Sequence, residues 1–177
     1  MIRVRFAALA LLLAVACAAT AQAQDYTRPK VRAITAFVTL ERASYTRQIA
    51  ATLAVLREAQ RAFEQQGYAV ESVRITTQPL AELLRGQSDA EALAFLKALD
   101  ELAAKENFLP NIGPAMLRDA DDPHTMQLLA QALSSLSQLN ASAIIAGDDG
   151  IHWKVIRESA ALVRYVTDHS PHSQPAE

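Results

Sequence analysis

Four short β-type runs, each followed by a longer stretch of helical periodicity, constrain the fold more than any other feature of this 177-residue chain. The runs start near residues 31, 68, 108 and 141, so successive starts lie 37, 40 and 33 residues apart. Each interval has room for one helical crossover, which is what parallel strands require. The pattern predicts an α/β fold of four βα units forming a mostly parallel sheet with right-handed crossovers. The units share no evident sequence identity, so the chain is not read as a repeat protein.

The first unit joins the run Val31–Leu40 to a helix over about 44–66, where Ile49, Leu53, Leu56 and Phe63 recur at helical spacing and Gly67 supplies a C-terminal stop. The second joins 68–77 to a helix that runs to about Asn107 and carries the stripe Leu93, Leu96, Leu99 and Ala103. Between them, Pro79 and Gly86 mark an irregular connection, and Ser88 with Glu91 forms a capping box. In the third unit, Pro110 and Pro114 each lack a ladder donor, so its strand is expected to be short or bulged. Asp122-Pro123 then starts a helix with Met126, Leu129, Leu133 and Leu136 on one side. The fourth run, Ala141–Ala146, is continuously apolar and reads as a strand buried on both faces. A helix follows with Ile156, Ala160, Val163 and Val166, and the domain is expected to span 31–168, with a polar lead-in over 24–30 and a disordered tail over 169–177.

Residues 1–23 have the layout of a secretory signal peptide: Arg3 and Arg5, an apolar run from Phe6 to Ala16, then small residues ending in Ala21-Gln22-Ala23. Eleven apolar residues in a helix fall well short of the roughly 30 Å hydrocarbon core, so no permanent membrane span is expected. Cleavage near Ala23 sends the chain to the periplasm or outside the cell. Cys17 offers a lipoprotein alternative, which Ala14 disfavours because a bulky residue is expected three positions before a lipidated cysteine. Cys17 is also the only cysteine, so thiol nucleophiles, thiolate metal sites and disulfides are excluded from the mature part. With 17 basic and 19 acidic side chains and no Lys/Arg block, a nucleic-acid partner is not expected.

Several segments carry a family resemblance: Val31-Arg32-Ala33-Ile34-Thr35-Ala36-Phe37-Val38, Arg74-Ile75-Thr76-Thr77-Gln78-Pro79, Ile112-Gly113-Pro114-Ala115, and Asn140-Ala141-Ser142 running into Ala146-Gly147-Asp148-Asp149-Gly150-Ile151-His152-Trp153. In this order they resemble the bacterial domain-of-unknown-function 711 family over roughly Lys30 to Asp168. The resemblance implies half of a pyruvate formate-lyase-like α/β barrel, in which two half-barrels, each a parallel sheet, come together. It therefore implies a second copy of this chain, or another half-barrel chain, as partner. It implies no established activity, and the cofactor stays unknown. The radical chemistry of that fold's better-known enzymes needs cysteine, which the mature chain lacks.

In α/β sheets, ligands bind beyond the carboxyl ends of the parallel strands. Here those ends supply Thr76, Thr77, Gln78, Gly113, Arg118 and the turn Gly147-Asp148-Asp149-Gly150 with His152. Such a set suits a small polar or anionic ligand, with Arg118 pairing to a carboxylate or phosphate and Asp148 or His152 in proton transfer. Asp149 and the two glycines complete a tight turn that keeps two carboxylates close, although Asp and Gly are also ordinary turn residues. Asp119, Asp121, Asp122 and His124 lack the spacing of a calcium loop and read as helix capping, so no metal site is expected. The nucleotide-binding, zinc-protease and nucleophile-elbow motifs are absent. The primary expectation is an exported α/β domain with a ligand site at the strand ends. The alternative is a non-catalytic assembly module or half-length family member that pairs through an exposed sheet edge.

Overall fold

The computed structural model describes residues 28–170. The leader, its cleavage point and Cys17 lie outside the described residues, as do most of the lead-in and the tail beyond Ser170.

The chain runs β1 (Ile34–Val38), α1 (Tyr45–Gln65), β2 (Val73–Pro79), a single turn α2 (Leu80–Leu83), α3 (Asp89–Glu106), β3 (Leu109–Gly113), α4 (His124–Leu133), β4 (Asn140–Ala141), a hairpin of β5 (Ala146–Gly147) and β6 (Gly150–Ile151), and α5 (Trp153–His169). Strands β1 to β4 form one parallel sheet in sequential order. Among the described residues, no helix is long and apolar enough to cross a membrane.

The stop and start signals act as chemistry dictates. Gly67 takes φ +79°, and the N–H groups of Gly67 and Tyr68 donate to the carbonyls of Glu64 and Phe63, closing α1. Ser88 and Glu91 form a reciprocal capping box at the start of α3, with Ser88 N–H donating to Glu91 Oε2 at 2.8 Å. Pro110 is the second residue of β3, opposite Ile75, and the β2–β3 register shifts between Thr76 and Pro79. The missing donor thus falls beside an irregular stretch of ladder, as the short or bulged strand anticipated.

Alternation along the strands gives the sheet two unlike faces. Ile34, Ala36 and Val38 of β1 share a face with Val73 and Ile75 of β2 and Ile112 of β3. They pack against Ile49, Leu53 and Leu56 of α1, Leu96, Leu99 and Ala103 of α3, and Met126 and Leu129 of α4. Each fully buried Leu or Ile here contributes roughly 1.5–3 kcal/mol. The opposite face carries a row that the register aligns across all four strands: Phe37, Thr76, Asn111 and Asn140. Phe37 is 81% exposed, so no helix covers that end of the row. A sequential strand order with right-handed crossovers has this consequence, because every helix falls on the same side.

The fourth unit departs from expectation. Only Asn140 and Ala141 join the sheet, while the rest of the apolar run leaves it. Beyond β4 the chain keeps two parallel-type bonds, Ala115 N–H to Ser142 O and Ile144 N–H to Met116 O, then turns into the antiparallel hairpin. Ile145 is 52% exposed, so the run is not buried on both faces. The physical reason is that β3 ends at Gly113, so past it the run has only the irregular segment at Ala115 and Met116 to bond and no regular ladder to extend. At the other end, α5 continues through His169, whose ring stacks on Tyr165, so that residue belongs to the helix rather than to a tail.

Candidate functional site

The hairpin stands beyond the carboxyl end of β4, and its turn is the Gly147–Gly150 segment singled out in the sequence. Gly147 pairs with Gly150 and Ala146 with Ile151, leaving Asp148 and Asp149 as the two turn residues. Gly150 adopts φ +111°, a conformation that favours glycine. Gly147 is needed for another reason: a Cβ there would lie 2.9 Å from the Asp149 carboxylate, which folds back over the turn.

That carboxylate meets His152. The His152 ring is buried, with Nε2 2.9 Å from Asp149 Oδ1 and Nδ1 2.8 Å from the carbonyl oxygen of Ile144. Both ring nitrogens therefore face acceptors, an arrangement only the imidazolium satisfies, because a neutral ring would present one lone pair to an oxygen. The Ile144 carbonyl first, and then Asp149, push the His152 pKa above its ordinary value, with Asp119 adding a smaller field. The hydrogen bond from His152 holds the Asp149 carboxyl below the usual range, aided by its own backbone and, more weakly, by Arg118. His152 thus ties the hairpin tip to the chain entering it. Proton transfer to a ligand would require it to release one of those partners.

Arg118 is exposed, and its Nε lies 3.5 Å from Asp121 Oδ1. Asp148 is exposed and its side chain makes no hydrogen bond among the described residues. The rim of the hairpin therefore offers a free carboxylate, a lightly held guanidinium and the solvent-facing side of Asp149. Around them lie Ile145, Ile151 and Trp153, all more than half exposed.

The remaining expected residues are engaged elsewhere. Thr77 Oγ1 accepts from Gly113 N–H at 3.1 Å and donates to the carbonyl of Gln78 at 2.9 Å. The Gln78 amide pairs with both backbone groups of Leu40, at 3.0 and 2.8 Å, joining β2 to the end of β1. Gly113 faces Gln78 so closely that a Cβ would overlap the Gln78 carbonyl and lie 2.6 Å from Thr77 O. These three residues hold strand ends together. Thr76 lies apart from the hairpin, on the helix-free face, where its Oγ1 accepts from Asn111 Nδ2 at 3.3 Å.

Each carboxylate of the 119–122 stretch is spent on backbone. Asp119 Oδ1 accepts from Lys154 and Val155 N–H at 2.8 and 3.1 Å, capping α5 from 35 residues away. Asp121 accepts from Leu117 and Arg118 N–H, and Asp122 from His124 N–H. His124 Nε2 meets Asp89 Oδ1 at 2.9 Å, which raises the His124 pKa. Among the described residues no three His, Cys, Asp or Glu side chains gather as a metal site. Sequence reasoning read Asp119 with the capping of the helix that starts at Asp122-Pro123 and missed that it caps α5, a role that depends on a contact no local pattern announces. Asn111 could have been found by alternation along β3.

Comparison with known proteins bears on the whole of this architecture. A family model described as "Uncharacterised ACR (DUF711)" matches residues 24–176. The chain belongs to the DUF711 family. Curated proteins searched with the same sequence give no match. For this DUF711 domain, the parallel sheet and its alternating helices stand as expected, and the hairpin rim is the place where charged and apolar side chains meet solvent together.

Proposed function

We propose that this DUF711 chain is an exported α/β domain that binds a small polar or anionic ligand beyond the carboxyl ends of its strands, at the hairpin rim. The observation that carries the reading is the exposure of Ile145, Ile151 and Trp153 around Asp148 and Arg118: apolar surface rimmed by charge marks binding sites. Arg118 pairs with an acidic group of the ligand, Asp148 accepts from a donor on it, and Trp153 covers its apolar part. His152 and Asp149 hold the hairpin in place, so His152 serves as a positioning residue. A thermal-shift screen of the purified protein against small carboxylates, phosphates and sugars tests this. A stabilising hit should disappear in Arg118→Ala and Asp148→Ala, each of which should melt unshifted without ligand. A hit that both variants keep places the ligand elsewhere. Export is tested by the mass of the protein recovered from the periplasm of an expressing bacterium, expected to begin at Gln24.

A second reading rests on a different observation. The helix-free face leaves Phe37 exposed, and β1 is an edge strand with one side unpaired among the described residues. A domain of this shape pairs with a second half-sheet, a copy of itself or another chain, to complete a barrel. Solution mass by light scattering separates the readings: a dimer lost on Phe37→Glu supports pairing, and a monomer at all concentrations removes it.

A further inference from the structure

Arg74, the second residue of β2, lies in register between Thr35 of β1 and Leu109 of β3. Alternation puts it on the helix-free face, two residues before Thr76. Its Nε is buried and donates to nothing, and its guanidinium forms no ion pair among the described residues. Arg74 as a whole is half-buried, and a buried donor such as its Nε, left without an acceptor, is a cost that native structures rarely keep without a reason. The face around it holds no acid: the residues aligned there are Thr35, Phe37, Thr76, Leu109, Asn111 and Asn140. Thr76 and Asn111 bond each other through one hydrogen only, leaving the Thr76 hydroxyl proton and the second Asn111 amide hydrogen to give. Phe37, 81% exposed beside Thr76, supplies an apolar wall.

We infer that this face holds an anion subsite separate from the hairpin rim, taking a small molecule with a carboxylate or phosphate group. Arg74 pairs with the oxyanion, Thr76 and Asn111 donate to it, and Phe37 lines the rest of the molecule. The subsite shares Thr76 with the strand-end residues of the sequence reading but needs neither Arg118 nor Asp148.

The probes are inorganic phosphate and malonate, titrated into the purified, isotope-labelled protein and followed by NMR and calorimetry. Saturable shifts are expected at the Arg74 Nε–H and the Asn111 side-chain amide, and the tighter of the two probes identifies the oxyanion class. Arg74→Met should weaken binding at least about tenfold, the cost of one charge-assisted pair. The same variant should melt no lower than the parent, because it removes an unpaired buried donor, whereas a purely structural arginine would cost stability. Arg118→Ala should keep the saturable shifts at the Arg74 Nε–H and the Asn111 side-chain amide, whatever binding it loses at the hairpin rim. If Arg74→Met does not fold, Arg74→Gln, which keeps a polar side chain, gives the same measurement. Unsaturable shifts with both probes overturn the subsite, as does unchanged affinity in the folded Arg74 variant. Binding lost in Arg118→Ala but kept without Arg74 also overturns it, and moves the anion to the rim with the ligand reading intact.

Discussion

The first three βα units and the fourth are built by different means. In the first three, strands of five to seven residues pair along their length and bury one face beneath amphipathic helices. The fourth contributes two residues to the sheet and a two-stranded hairpin whose flanking Ile and Trp side chains face solvent. It is held by polar side chains reaching backbone groups far away in sequence. Asp100 of α3, buried, accepts from the N–H groups of Ser137, Gln138 and Leu139. Asp119 caps α5, and His152 fastens the hairpin. The contrast teaches that apolar area fixes the body of this domain while a few carboxylates and one histidine fix its hairpin end. Damage to the body should be global, and damage to the hairpin end local.

The sharpest way to break that division is Asp100→Ala. Three N–H groups would lose one charged acceptor, at a cost of about 3 kcal/mol, seen as a lower denaturant midpoint with the slope unchanged. Although it serves the fourth unit, Asp100 sits in the core of α3, and a loss confined to residues after 136 would show the units to be more independent than the packing indicates. Gly113→Ala comes next. Its Cβ must displace the backbone of Thr77 and Gln78, and overpacking of this kind costs roughly 2 kcal/mol. An unchanged midpoint would mean that the β2–β3 bulge yields freely.

A smaller and local effect is expected of Asp119→Ala, about 1 kcal/mol for a lost helix cap. Amide exchange should quicken in the first turn of α5 and stay unchanged in α1 and α3. Uniform quickening would erase the distinction between body and hairpin end.

The smallest effect is a pH dependence confined to the hairpin. The folded pKa of His152 is raised, so the contribution of its two hydrogen bonds is fully present below the unfolded value near 6.5 and is lost as pH rises through the folded value. That of Asp149 is lowered, so its contribution is present above the unfolded value near 3.8 and is lost as pH falls through the folded one. The hairpin should therefore be held most firmly between those two unfolded values, about 4 to 6.5, and loosen on either side. A titration of the Gly147 and Gly150 NMR shifts above about pH 6.5 that is present in the parent and absent in His152→Gln would establish the alkaline limb. A titration above that pH surviving in the variant would assign it to another group, while the acid limb of Asp149 should persist in both.

How much of this was legible in the sequence follows the same division. The helices of the first three units announced themselves through stripes such as Leu96, Leu99 and Ala103, and through stop and start residues whose effects are local: Gly67, Ser88 with Glu91, and Pro110. In the fourth unit, Ala141–Ala146 was legible as apolar and extended, but not as partnerless, because whether a run is buried depends on the length of its neighbour β3. At the candidate site the Gly147–Gly150 turn was legible, since its glycines and acids are contiguous. The assignment of Thr77, Gln78 and Gly113 to a ligand did not anticipate that their partners are backbone groups of the adjoining strands. Those partners lie about 35 residues or more away, beyond the reach of any periodicity.

Asp100 has a consequence for how the last strand finds its place. A strand of two residues has too few side chains for burial to choose among alignments, and a slip of one position would turn each of them to the opposite face. Here the choice is made upstream of the strand. Consecutive N–H groups from Ser137 to Leu139 converge on a single carboxylate, which counts residues as they enter β4. The alignment of Asn140 with Asn111, and with it the last member of the polar row, is set by a helix two units earlier in the chain.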